Sequence, residues 1–412
     1  MTDVQRFLRV LILTETFRPE IGGGERQAAV LGRGLTNRGH GVALLTRRSR
    51  PGLADDELSD GIHVIRVGPS GPGRGRKWGL LVTALAALLR LRRSYDVVLV
   101  SGFRILAVPA LIAGRLLGKP VVLKADSNGE MSGEFFRAGL AAARLAPGSW
   151  PVRATLSLRN QLLRRAAAYV AISEQIRDEM LAQGVAPGRV SRIPNGVDTN
   201  AFRPATAAER SALRARLGLP PGPVVIYTGR LVSYKGLALL LETWRQLREE
   251  FAAGTLVLVG EGGGDMHDCE ATLREFTARH GLDSCVRFTG PVSNVEDWLR
   301  AADVFAFPAR NEAFGLSLVE AMACGLPAVT TAVGGIRDFV EHQVNAWVVA
   351  PDDASGLAEG IRSLLGDQDR AAGLGRGARA TVRDRFGAEA VATAYEQLLT
   401  SVLRSSRAGA SS

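Results

Sequence analysis

The chain has 412 residues, 46% of them hydrophobic and 22% charged, with a formal net charge of +10. That is enough apolar material for two ordinary domains, and it excludes disorder over most of the length. Three cysteines, Cys269, Cys285 and Cys324, show no paired spacing, so neither a disulfide framework nor a zinc site is expected.

The charge is unevenly spread. Up to Arg192 there are 29 Lys and Arg against 15 Asp and Glu, and beyond it 22 against 26. A basic first part is expected to face something anionic. No nucleic-acid-binding motif accompanies the charge, so nucleic acid is not an expected partner. The apolar residues from Phe7 to Leu13 are interrupted by Arg9, unlike a signal peptide. No uncharged apolar run approaches the ~18 residues of a membrane-spanning helix. A cytoplasmic setting is expected.

In chain order, residues 9–14 read as a strand, followed by a glycine-rich loop at Gly22, Gly23 and Gly24 and a helix over about 25–38. Such glycines let backbone amides approach a ligand, and a helix N-terminus favours an anion. A mobile surface loop is the other reading. His40 reads as a turn residue before a strand at 42–46. Strand-like runs follow at 64–67, 97–100, 121–124 and 169–172, alternating with helical stretches. Residues 74–93 (RGRKWGLLVTALAALLRLRR) form an apolar stretch between basic ends, too short to span a bilayer. It fits either a helix on an anionic membrane surface or one packed against the sheet. Arg137, Arg144, Arg153, Arg159, Arg164 and Arg165 add further positive charge.

After residues 190–197 (VSRIPNGV) the alternation restarts, with strands expected at 224–227, 256–259, 286–289, 304–307 and 328–331. The segment from Pro194 to Pro204 is the expected hinge. It divides the chain into 1–192 and 193–387. A last helix, at about 388–403, is expected to pack back across the junction, and 388–412 ends in a Ser/Ala tail. The pattern predicts two doubly wound parallel sheets in tandem.

Residues 304–327 are the most informative. Pro308 closes the strand because it has no amide for the ladder. Glu312, Phe314 and Gly315 follow on a loop, then a short helix from about Ser317 to Cys324, stopped by Gly325 and Pro327. Strand end, carboxylate and helix N-terminus together mark a ligand crevice of an open parallel sheet. On one continuous helix Glu312 and Glu320 would point about 80° apart, so convergence requires Glu312 on the loop and Glu320 in the helix. Taken alone, Ser317-Leu-Val-Glu320 also fits the S-x-x-E capping box.

Arg230 and Lys235 lie just beyond the strand at 224–227. Arg230 offers a planar fork for phosphate oxygens and Lys235 a compact charge, although either could be a solvated surface cation. Asp367-Gln-Asp369 reads as D-x-D but follows a helix, so a charged turn is expected there. Residues 260–265 (GEGGGD) miss the dinucleotide fingerprint G-x-G-x-x-G in their last position.

The ordered set Gly229-Arg230-Leu231 with Lys235-Gly236, residues 257–262 (VLVGEG), Glu312-x7-Glu320 and Gly334-Gly335-Ile336 resembles the retaining glycosyltransferases of family 4. Residues 193–198 (IPNGVD) and Phe202 extend that resemblance to nearly the whole chain. It implies an α/β fold of GT-B type, two Rossmann-like domains facing each other across a cleft. The first would bind the acceptor and the second the nucleotide sugar. It further implies a nucleoside-diphosphate sugar as donor substrate, no cofactor, no metal, and same-face attack in which the departing phosphate oxygen takes the acceptor's proton.

By the same resemblance, Arg230, Lys235 and Glu312 would act in catalysis. Gly23, Gly24, Gly229, Arg230, Lys235, Gly262, Phe314, Gly315, Leu316 and Glu320 would bind the donor. Glu320 would take the ribose hydroxyls and Glu312 the sugar hydroxyls, since a carboxylate can accept from both members of a diol. Many family members carry a histidine after the strand at 121–124. Here Lys124 is followed by Asp126, Ser127, Asn128 and Glu130. Asp126, Asn128 and Glu130 are therefore candidate sugar or acceptor contacts, with polar loop filler as the other reading. The acceptor would be a lipid-linked, polysaccharide or small-molecule hydroxyl compound in cell-surface polysaccharide, glycolipid or glycoconjugate synthesis. Peripheral attachment to an anionic membrane surface on the cytoplasmic side is an option. Competing classes are a nucleotide-sugar epimerase or phosphorylase on the same scaffold, and a nicotinamide-dependent dehydrogenase.

Overall fold

A computed structural model describes residues 7–20, 22–71, 74–136, 146, 149–263 and 266–408, with residues 74–78 described by backbone alone. Arg137, Arg144 and the end of the 260–265 loop lie outside the described residues. The chain divides into two compact units, Met1–Gly196 with Ala388–Ser412, and Val197–Gly387.

The first unit is built on strands β1 (Arg9–Leu13), β2 (Gly41–Arg47), β3 (Asp56–Ser59), β4 (Ile62–Val67), β5 (Val97–Ser101), β6 (Val121–Lys124), β7 (Ala168–Ala171) and β8 (Val190–Arg192). They form one sheet in the order β3-β4-β2-β1-β5-β6-β7-β8. Only β3 is antiparallel. The central strands read as unbroken apolar runs because helices cover both faces of a parallel sheet. β5, for example, is buried at every position.

The second unit carries β9 (Val224–Thr228), β10 (Thr255–Val259), β11 (Val286–Gly290), β12 (Val304–Phe307), β13 (Ala328–Thr331) and β14 (Trp347–Val349). Its sheet has the order β11-β10-β9-β12-β13-β14 and is parallel throughout.

Several elements differ from the sequence expectation. β3 is polar and alternates between exposed and half-buried, so no apolar run announces it. It turns into β4 through Asp60 and Gly61, both at positive φ, the two-residue turn that Asp-Gly favours in hairpins. β8 and β14 have three residues each, too few to show a period. The helix Gln368–Arg385 was not expected because Gly373, Gly375 and Gly377 weaken its pattern. Two of those glycines are required by close approach: a Cβ at Gly375 would meet the carbonyl of Gly325, and one at Gly377 the carbonyl of Val344. The D-x-D at 367–369 opens this helix, with the Asp367 side chain capping it by accepting from the Arg370 amide at 2.9 Å.

The basic-ended stretch forms the helix Arg74–Arg90, which buries Leu80, Ala84, Ala87 and Leu88 and contacts β2, β4 and the helix Ala107–Leu117. One face of the helix thus packs on the sheet, while Val82 on it stays exposed. Arg159 is not a surface cation either: it donates to the carbonyls of Arg104, Glu130 and Met131. His40 is more than a turn residue. It is 4% exposed, accepts from the Leu8 amide and lies 3.1 Å from Glu396 on the last helix.

That last helix, Ala388–Ala408, packs on the helix Gly23–Asn37 and puts Val391, Tyr395, Leu399, Val402 and Leu403 into the first unit's core. Arg38 fastens it further through Glu396 at 2.6 Å. Where the chain leaves the first unit, Gly196 exchanges two 2.8 Å hydrogen bonds with the buried Gln27 side chain. In the second unit Val197 pairs with Gly387, so the outgoing and returning chains run side by side. Leu399→Ala should lower stability by about 3 kcal/mol, within the usual 2–5 kcal/mol range for such core truncations. Denaturant unfolding of the full chain, followed by circular dichroism, measures this.

Candidate active site

In the second sheet β9 lies between β10 and β12. The connections on its two sides leave in opposite directions, and ligands bind outside the strand C-termini at such a point. The backbone after β9 is under tight constraint there. Gly229 adopts φ +139 and Gly260, after β10, φ +131. A Cβ on Gly260 would collide with the Gly229 carbonyl, so the loops after β9 and β10 can touch only as glycines. Leu231 donates to the Glu261 carbonyl at 2.9 Å, and the Gly262 amide is engaged by Glu270 at 3.0 Å.

Arg230 is exposed. Its guanidinium donates to the Tyr234 hydroxyl at 2.9 Å, while its carbonyl accepts from Tyr227 at 2.8 Å. Burial, with Glu312 nearby, pushes the Tyr227 phenol well above its ordinary value, so it remains a donor. Lys235 pairs with Glu312, which tops the loop after β12, and both side chains are largely buried. The Glu312 carboxylate also accepts from the amides of Ala313 at 3.0 Å and Phe314 at 3.3 Å. The Phe314 amide is thus directed at Glu312, and its ring packs against Phe339 and Phe386.

Gly315, at φ +96, is the N-cap of the helix Leu316–Ala323, and no side chain caps it. Ser317 therefore sits inside the first turn and the S-x-x-E box does not form. Leu316 opens the helix and Glu320 lies within it, 4% exposed. Burial and the Glu320 carboxylate together push the Cys324 thiol above its usual range. A Cβ on Gly229 would lie 3.5 Å from the Ser317 hydroxyl, which puts the Arg230 turn against this helix's first turn. The Gly335 amide donates to the Glu312 carbonyl at 3.1 Å, so the Gly334-Gly335 turn backs the same loop. Gly229, Lys235, Glu312, Gly315 and the start of the helix carrying Glu320 are brought together. Two cations and a helix N-terminus at one strand edge can hold an anion such as a diphosphate.

In the first unit Gly23 and Gly24 do not form a loop. They open the helix Gly23–Asn37, with Gly22 as an extended N-cap. The helix starts two residues earlier than expected, and Glu25, third in it, accepts from the Thr16 hydroxyl. A Cβ on Gly24 would lie 3.6 Å from the Asp126 carboxylate. Asp126 pairs with the buried Lys124 and accepts from Ser101 at 2.8 Å. Glu130 has a fully buried side chain and accepts from Ser127 at 2.9 Å. The Asn128 Oδ1 atom is buried without a hydrogen-bond partner. The loop is pinned by Glu179, which accepts from the amides of Gly129, Met131 and Ser132 at 2.7–3.0 Å. Glu179, Tyr227 and Glu270 escaped the sequence reading. Each acts from a distant or ordinary-looking position, and only the Tyr227 strand end gave any local cue. Among the described residues no group of three His, Cys, Asp or Glu is placed to hold a metal ion.

Two parallel Rossmann-like units of this kind define the GT-B class of glycosyltransferases. Residues 222–367 match the family described as Glycosyl transferases group 1, and residues 21–201 match Glycosyltransferase Family 4. The chain is 33% identical to the D-inositol 3-phosphate glycosyltransferase of Xylanimonas cellulosilytica, covering 91% of this chain and 90% of that protein. It is 35% identical to D-inositol 3-phosphate glycosyltransferase 1 of Catenulispora acidiphila, over 82% and 81%. In fold it is similar to sucrose-phosphate synthase from Thermosynechococcus elongatus, at 24% identity and a TM-score of 0.77 over 96% of this chain and all of that one. It is likewise similar to Anabaena HepE in complex with UDP and glucose, at 23% identity and a TM-score of 0.74 over 96% and 100%. The chain belongs to glycosyltransferase family 4. It is a glycosyltransferase acting on nucleotide-sugar donors, which removes the epimerase and dehydrogenase alternatives.

Gly260→Ala should destabilise the second unit by about 2 kcal/mol or more, since a Cβ at that φ both strains the backbone and strikes Gly229. A lowered melting temperature, without change in the far-ultraviolet spectrum below the transition, is the expected result.

Proposed function

We propose that this enzyme transfers the sugar with retention of configuration, without a metal, to a hydroxyl of a small phosphorylated polyol of the inositol phosphate kind. The curated relatives carry that acceptor in their names at 33% and 35% identity. The observation that carries the donor assignment is the ion pair of Lys235 with Glu312, joining the loops after β9 and β12 beside the Arg230 turn.

On this reading the nucleotide's diphosphate lies along the Gly229–Arg230 turn. Arg230 and Lys235 meet the charge that develops as the sugar–phosphate bond breaks, so a metal and a separate cofactor are dispensable. Preorganised donors of this kind are each worth roughly 3 kcal/mol in the transition state. Glu312, already gripped by Lys235 and two amides, faces the sugar hydroxyls. Glu320 takes the ribose diol from its buried helix position. The departing phosphate oxygen takes the acceptor's proton on the same face. Asp126 and Asn128 serve the acceptor from the first unit, with the fully buried Glu130 behind them. The setting is cytoplasmic.

Arg230→Ala and Glu320→Ala should each cut turnover about 100-fold or more, tested with a panel of nucleotide sugars and D-inositol 3-phosphate. The product's anomer should match the donor's by NMR, and a chelator should leave the rate unchanged. Near-normal turnover in both variants would remove the assigned site.

A second reading concerns location and a lipid-linked or polysaccharide acceptor. Val82, Ile112, Leu116, Trp150 and Leu158 are exposed apolar side chains on helices of the basic first unit. Apolar residues beside cations favour an anionic bilayer surface. Anionic liposomes should float the protein in low salt and release it in high salt; absence of flotation at any salt would remove peripheral attachment.

A further inference from the structure

We propose that Glu130 is a positioning residue for the transfer, holding Ser127 and, with it, Arg104 in the orientation that engages the acceptor. This rests on the reading that the loop after β6 serves the acceptor.

The Glu130 side chain is 0% exposed, and Arg104, 32% exposed, is the cation it reaches. Glu130 Oε1 accepts from Ser127 Oγ at 2.9 Å and lies 3.4 Å from Arg104 Nε. Arg104 Nη2 donates to the same Ser127 hydroxyl at 2.9 Å, and its guanidinium covers the Phe135 ring at 3.6 Å. A partly exposed cation is thereby tied through one hydroxyl to a carboxylate with no access to water. Glu130 Oε2 is buried with no hydrogen-bond partner, which adds to the cost of its desolvation.

The charged groups around Glu130 come from several elements. Arg104 follows β5, while Lys124 and Asp126 sit at and just beyond the end of β6. Arg159, on the helix Trp150–Leu163, donates to the Glu130 carbonyl at 2.7 Å. Glu179, on the helix Glu174–Ala182, accepts the flanking amides. Burial and Asp126 raise Glu130 while Arg104, Ser127 and Lys124 lower it, and the balance is a carboxyl pushed up to about 7. Above that pH the carboxylate holds Arg104. Below it, protonation removes the charge that Arg104 pairs with and frees the guanidinium. A raised carboxyl pKa also means that stability is lost progressively as pH rises from the ordinary 4.5 through about 7, and is not lost further above it.

The test measures acceptor KM, kcat and acceptor-free donor hydrolysis between pH 5.5 and 8.5, using D-inositol 3-phosphate and the nucleotide sugar the panel selects. In the wild type, acceptor KM should fall roughly tenfold as pH rises through 7, with kcat and hydrolysis nearly flat. Glu130→Gln should hold KM at its acid-limb value throughout and exceed the wild type's melting temperature by more at pH 8.5 than at pH 5.5. Ser127→Ala, which leaves the carboxyl in place, should move the inflection to higher pH because a hydrogen bond favouring the carboxylate is gone. An unchanged inflection in both variants overturns the role of Glu130 alone. Hydrolysis without transfer to this acceptor from any sugar overturns the acceptor reading, and the role with it.

Discussion

An ammonium and a carboxylate from the loops that follow neighbouring parallel strands meet where the connections of the second sheet diverge, and the site of that unit is arranged around them. Lys235 and Glu312 are both largely out of water, so neither could be placed there alone without a heavy desolvation penalty. Glu312 is further satisfied by the amides of Ala313 and Phe314, which fixes the loop after β12. That loop in turn sets where Gly315 starts the helix carrying Glu320. The Tyr227–Arg230 contact and the Gly229–Gly260 approach fix the opposite wall. On the proposed reading a diphosphate would meet groups already in place, which is the condition for electrostatic stabilisation of a transition state.

The first unit uses the same device with more charge. Lys124 and Asp126 form one buried pair, while Arg104, Ser127 and Glu130 form a second assembly beside it. Glu179 holds the connecting loop through three amides, which together with the nearby Arg159 guanidinium compensate its charge. Much of the positive excess in this part of the sequence has a structural use. Arg159 serves backbone carbonyls, and Arg38 fastens the returning C-terminal helix. A basic composition is therefore a poor measure of how much cationic surface remains for a partner.

The C-terminal helix illustrates how sequence distance and structural membership separate. Its apolar stripe completes the core of the first unit, although nearly 200 residues of the second unit intervene. The chain is tied down within each unit next to this crossing. Gln27 grips Gly196 in one unit, and Val197 pairs with Gly387 in the other.

The sequence by itself determined the alternation of buried apolar strands with helices, because a parallel sheet covered on both faces writes itself as continuous Val, Ile and Leu runs. It also marked Gly229, Arg230, Lys235, Glu312 and Glu320 as one set, since family resemblance and strand ends coincide there. It could not show β3, β8 or β14, which are polar or too short for a period. Nor could it show a helix whose glycines answer to carbonyls of Gly325 and Val344 far along the chain. Whether Ser317 capped its helix, whether the basic-ended stretch packed on the sheet, and what Glu130 faces were decided only by tertiary structure. Each depends on which distant groups exclude water from a side chain, and burial is a property of the packed ensemble rather than of neighbours in sequence.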